Sequence, residues 1–297
     1  ARINNIPFVP GQVGAMGIFE EQGITTTTAV IERDGLTLGL VAPTPRGAPG
    51  ETVAHTGRNM LSIVVPHYQR DDAVYADEVQ GVRSFGADAD SGTSLATIEQ
   101  LVDRKMRKHT IAFDATLEHQ RVGALKGLVV DKNGNTLLDL AQAFGVSIPA
   151  AVDWVLGTAS TNIRNQAISL KLAVEAALDG IPYAGISVLA GSTFFQKLSI
   201  HPNVEKFFLN YDRAATFAQN SDIDRFMFAG IMFERYRTGA QATAAQATPA
   251  PFIPDNGARV VIRGVPDLYK TFFAPADFNE TVNTIGLPRY AKQYPMK

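Results

Sequence analysis

The chain has 297 residues, 27 Lys+Arg against 29 Asp+Glu, 45% hydrophobic residues and no cysteine. At about 150 residues per domain this is material for about two domains with a real core, while a net charge of −2 and a pI near 6.2 offer phosphate no global attraction. Without cysteine there is no disulfide framework, thiolate nucleophile, zinc knuckle or iron–sulfur site.

No uncharged apolar run reaches the ~18 residues of a membrane span, and Ala1 to Pro10 lacks the apolar region of a secretory signal. The start at Ala1 rather than Met predicts a processed or trimmed product. The first 22 residues, punctuated by Pro7, Pro10, Gly11, Gly14 and Gly17, read as an extended arm. From Ile24 to Val41 the chain is β-rich, with Leu36, Leu38 and Leu40 alternating, and a second β run at Leu61 to Val65 puts Leu61, Ile63 and Val65 on one face. The connection Pro43 to Arg58 holds three prolines and three glycines, which predicts a projecting tip. A two-stranded hairpin is marginal in water unless its apolar face is covered, and the polar segment Pro66 to Gly92 offers little cover. Either the chain's own core or a second copy must supply it.

Thr93 to Val122 contains neither Gly nor Pro, which predicts a helix of about 30 residues, roughly 45 Å long, ending at Gly123. Its apolar stripe is Leu95, Ile98, Val102, Met106, Phe113 and Leu117, and Ser94 or Thr97 would cap it. Gly127 to Asp131 and Thr136 to Leu140 read as a hairpin joined through Asn133-Gly134, the favoured pair for a type I′ turn. Beyond Asp139 the pattern is mixed α/β. Asn162 to Leu178 is an amphipathic helix with Ile163, Ala167, Leu170, Val174 and Leu178 on one face and Gly180 as the stop. Ile186 to Ala190 is a buried strand, and Ser192 opens a helix that His201-Pro202 closes. Met227-Phe228, Ile231 to Tyr236, Val260 to Arg263 and Tyr269 to Phe273 read as further strands, and the uncharged stretch Thr238 to Pro251 as a mobile loop.

No chemistry-bearing motif emerges. The five histidines make no HExxH, HxH or i,i+4 pair, Gly11, Gly14 and Gly17 lack the spacing of a phosphate loop, and no GxSxG occurs. Asp222 and Asp224 lack the further acidic positions of a Ca loop, so a helix-start turn is expected there. No catalytic, cofactor-binding or metal-binding residue is assigned, and no cofactor is implied. Charge is more informative. Ile24 to Val79 carries four basic and seven acidic residues, including Asp71, Asp72, Asp77 and Glu78, whereas the long helix carries Arg104, Lys105, Arg107 and Lys108 within five positions. Such opposite signs suit complementary surfaces between copies, although a solvated helix face or a face toward packaged nucleic acid satisfies the same pattern.

Several ordered motifs carry a resemblance: Asn4-Asn5-Ile6-Pro7-Phe8-Val9-Pro10-Gly11, Gly17-Ile18-Phe19-Glu20-Glu21, Gly23-Ile24 with Thr25 to Thr28, Pro43-Thr44-Pro45-Arg46-Gly47-Ala48-Pro49-Gly50, Asp77-Glu78-Val79-Gln80-Gly81-Val82-Arg83, and Ala274-Pro275-Ala276-Asp277-Phe278 through Thr281 to Pro288. Over essentially its whole length the chain resembles the lambda-type phage major capsid protein E family. The resemblance implies an α+β, Hong Kong 97-type capsid fold with an N-terminal arm (1–22), an extended β-hairpin loop (23–80), a peripheral domain with a long spine helix (81–140), a mixed α/β axial domain (141–261) and a return to the peripheral domain (262–297). It implies a non-enzymatic subunit that self-assembles into hexamers and pentamers, forming the icosahedral head of a tailed double-stranded DNA phage in the bacterial host cytoplasm. Implied partners are further copies of the chain, portal and scaffolding proteins and a decoration protein at local three-fold axes; the DNA is enclosed without sequence-specific binding and no membrane is involved. The residues expected at the assembly interface are Arg46, Gly47, Pro49, Gly50, Asp71, Asp72, Asp77, Glu78, Arg104, Lys105, Arg107 and Lys108, with Gly23, Gly81 and Gly123 as hinges. An encapsulin-like cellular cage of the same fold and, from a different class, a hydrolase with a dispersed site are the alternatives.

Overall fold

The computed structural model of the chain describes residues 11–33, 59–78, 80, 98–209 and 224–292. Its strands are β1 (Glu20–Gly23), β2 (Thr28–Arg33), β3 (Asn59–Val64), β4 (Leu128–Val130), β5 (Thr136–Asp139), β6 (Gly185–Ala190), β7 (Arg225–Phe228), β8 (Ile231–Arg235), β9 (Ala258–Arg263) and β10 (Lys270–Phe273). Its helices are α1 (Gln12–Ala15), α2 (Ile98–Lys126), α3 (Leu140–Phe144), α4 (Ile163–Leu178), α5 (Ser192–Ser199), α6 (Pro202–Leu209) and α7 (Ala240–Ala244). This is the mixed helix-and-sheet class expected. The chain divides into two compact units, one from 1–20, 68–142 and 146–269, the other from 21–67, 143–145 and 270–297.

In the larger unit, a strand without a polar face has to lie inside a sheet covered on both sides. Ile186 to Ala190 is such a run, every residue buried, and β6 is accordingly flanked in the order β7-β8-β6-β9. β6 runs parallel to β8 and antiparallel to β9, while β7 and β8 are antiparallel. The period of two sorts the side chains: Ile186, Val188 and Ala190 join one cluster with Phe226, Phe228 and Phe233, whereas Leu189 joins a second with Val13, Val122, Tyr236 and Val261. Against the first cluster α4 lays Ile163, Ala167, Val174 and Leu178, as its spacing predicts, with Asn162 capping the helix by accepting from Asn165 N–H at 3.0 Å. The left-handed stop is reached at Asp179 (φ 46°), one residue before Gly180. Pro202 opens α6 at a position that needs no N–H donor, and the buried His201 caps it, its Nδ1 accepting from Asn203 N–H at 3.2 Å while Nε2 lies 3.1 Å from Thr158 O.

Five sequence expectations are corrected in this unit. First, α2 does not stop at Gly123. It runs to Lys126 and gives way at Gly127, whose φ of 84° is the left-handed conformation that ends helices. Gly123 is instead a packing residue, since a Cβ there would sit 2.9 Å from Leu128 O and 3.2 Å from Val129 Cα. Second, the expected apolar stripe is not the buried one: Ile98, Val102 and Met106 are exposed, and the buried positions are Leu101, Glu118, Arg121, Val122 and Gly123. Third, the β4–β5 turn is not type I′. Only Gly134 has positive φ (88°), Asp131 N–H donates to Asn135 O at 2.9 Å, and the Asp131 carboxylate accepts from the Asn133 and Asn135 amides at 2.7 and 2.9 Å. This is the three-residue loop in which a local carboxylate replaces the strained Asn conformation. Positive φ at both central residues of a two-residue hairpin occurs at Ala229-Gly230, between β7 and β8 (51° and 79°). Fourth, 238–251 is not featureless: it contains α7, buries Ala242 and donates from Ala247 N–H to Lys132 O at 2.8 Å. Fifth, Asp224 precedes a strand rather than a helix and pairs with Arg235 at 2.7 Å and with Arg237, while Asp222 lies outside the described residues.

In the smaller unit β2 and β3 form the expected antiparallel ribbon, from Thr28 opposite Val64 to Arg33 opposite Asn59. The expected strand positions Leu36, Leu38 and Leu40 lie outside the described residues. β1 pairs with β10, and Ile24 is bracketed by hydrogen bonds from its N–H to Phe273 O (2.8 Å) and from Gly286 N–H to its O (2.9 Å). Gly23 is required by this arrangement, because a Cβ there would collide with Gly286 O and the Ile285 side chain.

Candidate functional site

The basic run of α2 is sorted by helix geometry. Arg104, Arg107 and Lys108 are related by three and four positions and share one face, whereas Lys105 falls on the stripe of Leu101 and His109. Of the four cations Lys105 is the one that meets the described segment 68–78, together with His109 one turn further on. Lys105 Nζ pairs with Asp72 at 3.3 Å and Glu78 at 2.9 Å and donates to Ala73 O; His109 Nε2 lies 3.1 Å from the other Asp72 oxygen. Gln120 donates to the Tyr68 hydroxyl at 2.6 Å, extending the strap about three turns further along the helix. His109 first and Lys105 second hold the Asp72 carboxyl below its ordinary value; the Lys105 hydrogen bond does the same to Glu78, and Glu78 is the chief reason that Lys105 is raised.

Two of the acids expected to meet a neighbouring copy therefore have a partner in their own chain. Asp71 is exposed and accepts from Gln69, and Asp77 is exposed in the 3-10 turn Ala76–Glu78. Arg104, Arg107 and Lys108 are exposed without a partner among the described residues. Beside them Asp103, Met106, Arg107, Thr110 and Ile111 line a shallow concavity. Arg46, Gly47, Pro49, Gly50 and Gly81 lie outside the described residues, and Gly23 and Gly123 occupy the close contacts described above.

The β2–β3 ribbon has two unlike faces. In register, Ala29 stands opposite Ile63 and Ile31 opposite Leu61 on one side; Ala29 is buried and the other three are half-buried. Val30 and Val64 lie on the opposite side with Met60, and all three are open, at 51, 72 and 69% exposure. The sequence shows Leu61, Ile63 and Val65 as one apolar face. The second apolar face was legible only in the same alternation read one residue out of step.

One constellation escaped sequence reading. Glu118, 2% exposed in the middle of α2, accepts from Val13 N–H at 2.8 Å, Gly14 N–H at 3.2 Å and Tyr236 Oη at 3.1 Å. Burial and the facing carboxylate push the Tyr236 phenol well above its ordinary value. The Arg121 guanidinium, also buried, lies 5.5 Å from the Phe19 ring centroid. No local signal marks it, because its donors lie 104 to 118 residues away in the chain.

Among the described residues no group of three or more His, Cys, Asp or Glu is placed to hold a metal ion, and no helix is long and apolar enough to cross a membrane. The Phage major capsid protein E family matches across residues 1–297. The chain is 29% identical to the major capsid protein of Pseudomonas phage KPP10, over 97% of this chain and 85% of that one. It is 25% identical to the major capsid protein of Salmonella phage Felix O1 (isolate Felix O1-VT1), over 79% of this chain and 67% of that one. Among solved structures it is similar to the capsid structure of the cyanophage P-SCSP1u, at a TM-score of 0.38 and 14% identity, covering 87% of this chain and 73% of that one. Matched by its family from the first residue to the last, the chain belongs to the phage major capsid protein E family.

Proposed function

We propose that this capsid protein forms hexamers and pentamers that close into the icosahedral head of a tailed phage around double-stranded DNA, with the Hong Kong 97-type division into arm (1–22), extended loop (23–80), peripheral (81–140 and 262–297) and axial (141–261) parts. It does so in the virion after assembly in the host cytoplasm, with portal, scaffolding and decoration proteins as further partners and without sequence-specific contact to the DNA. The observation that carries this reading is the open apolar face of the β2–β3 ribbon, Val30, Met60 and Val64, on a chain of a capsid family. Covering three such side chains contributes roughly 3–5 kcal/mol per subunit, small for one contact but sufficient when every subunit meets several neighbours.

Arg104, Arg107 and Lys108 supply the cations of the contact and the exposed Asp71 and Asp77 its acids, together with Arg46, Gly47, Pro49 and Gly50. Lys105, Asp72 and Glu78 act indirectly, by holding the strap on the spine. Gly23, Gly81 and Gly123 are the proposed points of bending in shell maturation, and at Gly23 and Gly123 bending has to open backbone contacts that no Cβ could enter. The test is the double variant Met60→Glu with Val64→Glu, compared with the wild type by circular dichroism and electron microscopy. The expected result is an unchanged folded subunit that forms no shells, because both carboxylates would be desolvated in the contact. Normal shells would refute the assignment.

A further inference from the structure

We propose that Glu118 is a positioning residue that docks the root of the N-terminal arm, so that Gln12–Met16 is a latch able to leave α2 as one piece; what the latch serves rests on the shell-forming reading above. A helix of four residues has no stability of its own, so α1 exists because something outside it fixes it. Glu118 provides that fixation by accepting both the Val13 and Gly14 amides, residues 105 and 104 positions away in the chain. Gln12 adds three bonds to the end of β8 and just beyond: its amide donates to Glu234 Oε1 (3.0 Å) and Arg235 O (2.8 Å), and its oxygen accepts from Arg237 N–H (2.9 Å). Val13 is fully buried in the cluster of Val122, Leu189 and Tyr236. A Cβ at position 14 would come 3.1 Å from the Arg121 guanidinium, so Arg121 packs closely on the latch.

The carboxylate makes this docking cooperative. A buried charge is tolerated when its oxygens are hydrogen-bonded, and two of the three donors recorded for Glu118 belong to the latch. Departure of α1 strips both at once and leaves Tyr236 Oη as the remaining donor of the three, so partial undocking is disfavoured on both sides of the contact. The latch therefore links α2, the end of β8 and the first described residues of the chain through one side chain.

The experiment is backbone amide exchange on the unassembled full-length chain, read in the peptide covering 12–16. Glu118→Gln keeps the shape and loses the charge-assisted bonds, and exchange in that peptide is expected to rise about tenfold to a hundredfold while β6 and β8 stay protected. Gln12→Ala, which leaves the core untouched, is expected to accelerate the same peptide. Tyr236→Phe removes only the third donor and is expected to change it less than twofold. Unchanged exchange in Glu118→Gln overturns the proposal, and so does equal acceleration by Tyr236→Phe, which would make the carboxylate a buttress of the tyrosine. Wild-type chain that forms no shells defeats the shell-forming reading alone, because the exchange rates still decide the latch.

Discussion

Gly123→Ala sets two effects against each other in the middle of a helix. Helix propensity alone favours the alanine by about 0.5–1 kcal/mol, because glycine has more backbone freedom to lose. Against this, the new Cβ would sit 2.9 Å from Leu128 O and 3.2 Å from Val129 Cα, both backbone atoms of the strand that follows the helix. Neither can rotate away as a side-chain end would, so β4 has to move off α2. Overpacking of this kind costs about 1–3 kcal/mol. The sum is a loss of about 0–2.5 kcal/mol, centred near 1 kcal/mol, which in a unit of this size lowers Tm by about 2–5 °C. The single tryptophan, Trp154, is buried in the same unit, so its fluorescence in thermal or urea unfolding reports the change. Gly127 supplies the contrast: its neighbour is the mobile Ile148 Cδ1 end, but its φ of 84° is costly for other residues. Asn tolerates that conformation better than Ala, so Asn outperforms Ala at 127 and the order reverses at 123. A Gly123→Ala protein more stable than wild type would refute the close-packing argument.

The strap 68–78 carries a pH prediction. Asp72 and Glu78 are lowered from their ordinary 3.8 and 4.5, so their contribution is complete above those values and disappears as pH falls through the lowered ones; Lys105 is raised from 10.5, so its contribution is complete below that and disappears as pH rises through the raised value. Limited proteolysis between Tyr68 and Glu78 should therefore stay slow between about pH 5 and 10, and Lys105→Met should make it fast throughout that window; equal cleavage rates in the two proteins would exclude the strap. Reversing Arg104, Arg107 and Lys108 together to Glu while keeping Lys105 should leave unfolding of the subunit unchanged and abolish assembly at low salt. Unaltered assembly with unaltered salt dependence would remove these cations from the contact.

What the sequence revealed and what it hid divide along chain separation. The α4 stripe, the buried β6 and the β2–β3 ribbon depend on patterns of neighbouring residues, and each is found at the expected place. The turn at Asp131 to Asn135 failed for a local reason: Asn133-Gly134 favours type I′, but a carboxylate two residues earlier captures the Asn133 amide first. The Glu118 constellation failed for a global one, because its partners lie 105 and 118 residues away and nothing beside Glu118 in sequence marks it as buried. In the stretch 238–251, composition spoke for mobility, whereas Ala242 gains its burial from the sheet and the Ala247 amide finds an acceptor at Lys132.

The basic run of α2 divides between a contact within the chain and an exposed face. Read as composition, an acidic hairpin region and a basic helix run invite pairing between copies, yet Lys105 meets Asp72 and Glu78 of its own chain. Helix geometry explains the division, because residue 105 alone of the four stands on the stripe shared with Leu101 and His109. Ile98, Val102 and Met106 are exposed and repeat at four-residue intervals, so they form one stripe, on a different face of α2 from Arg104, Arg107 and Lys108. Single exposed apolar residues on a surface need no explanation, but a row of three along one helix face is a surface that gains by being covered. The open face of the ribbon has the same property in the smaller unit, with Val30, Met60 and Val64 aligned by the strand period rather than the helix period. Two unlike periodicities thus leave apolar rows facing water, and in a capsid subunit the material available to cover them at high local concentration is another copy of the chain.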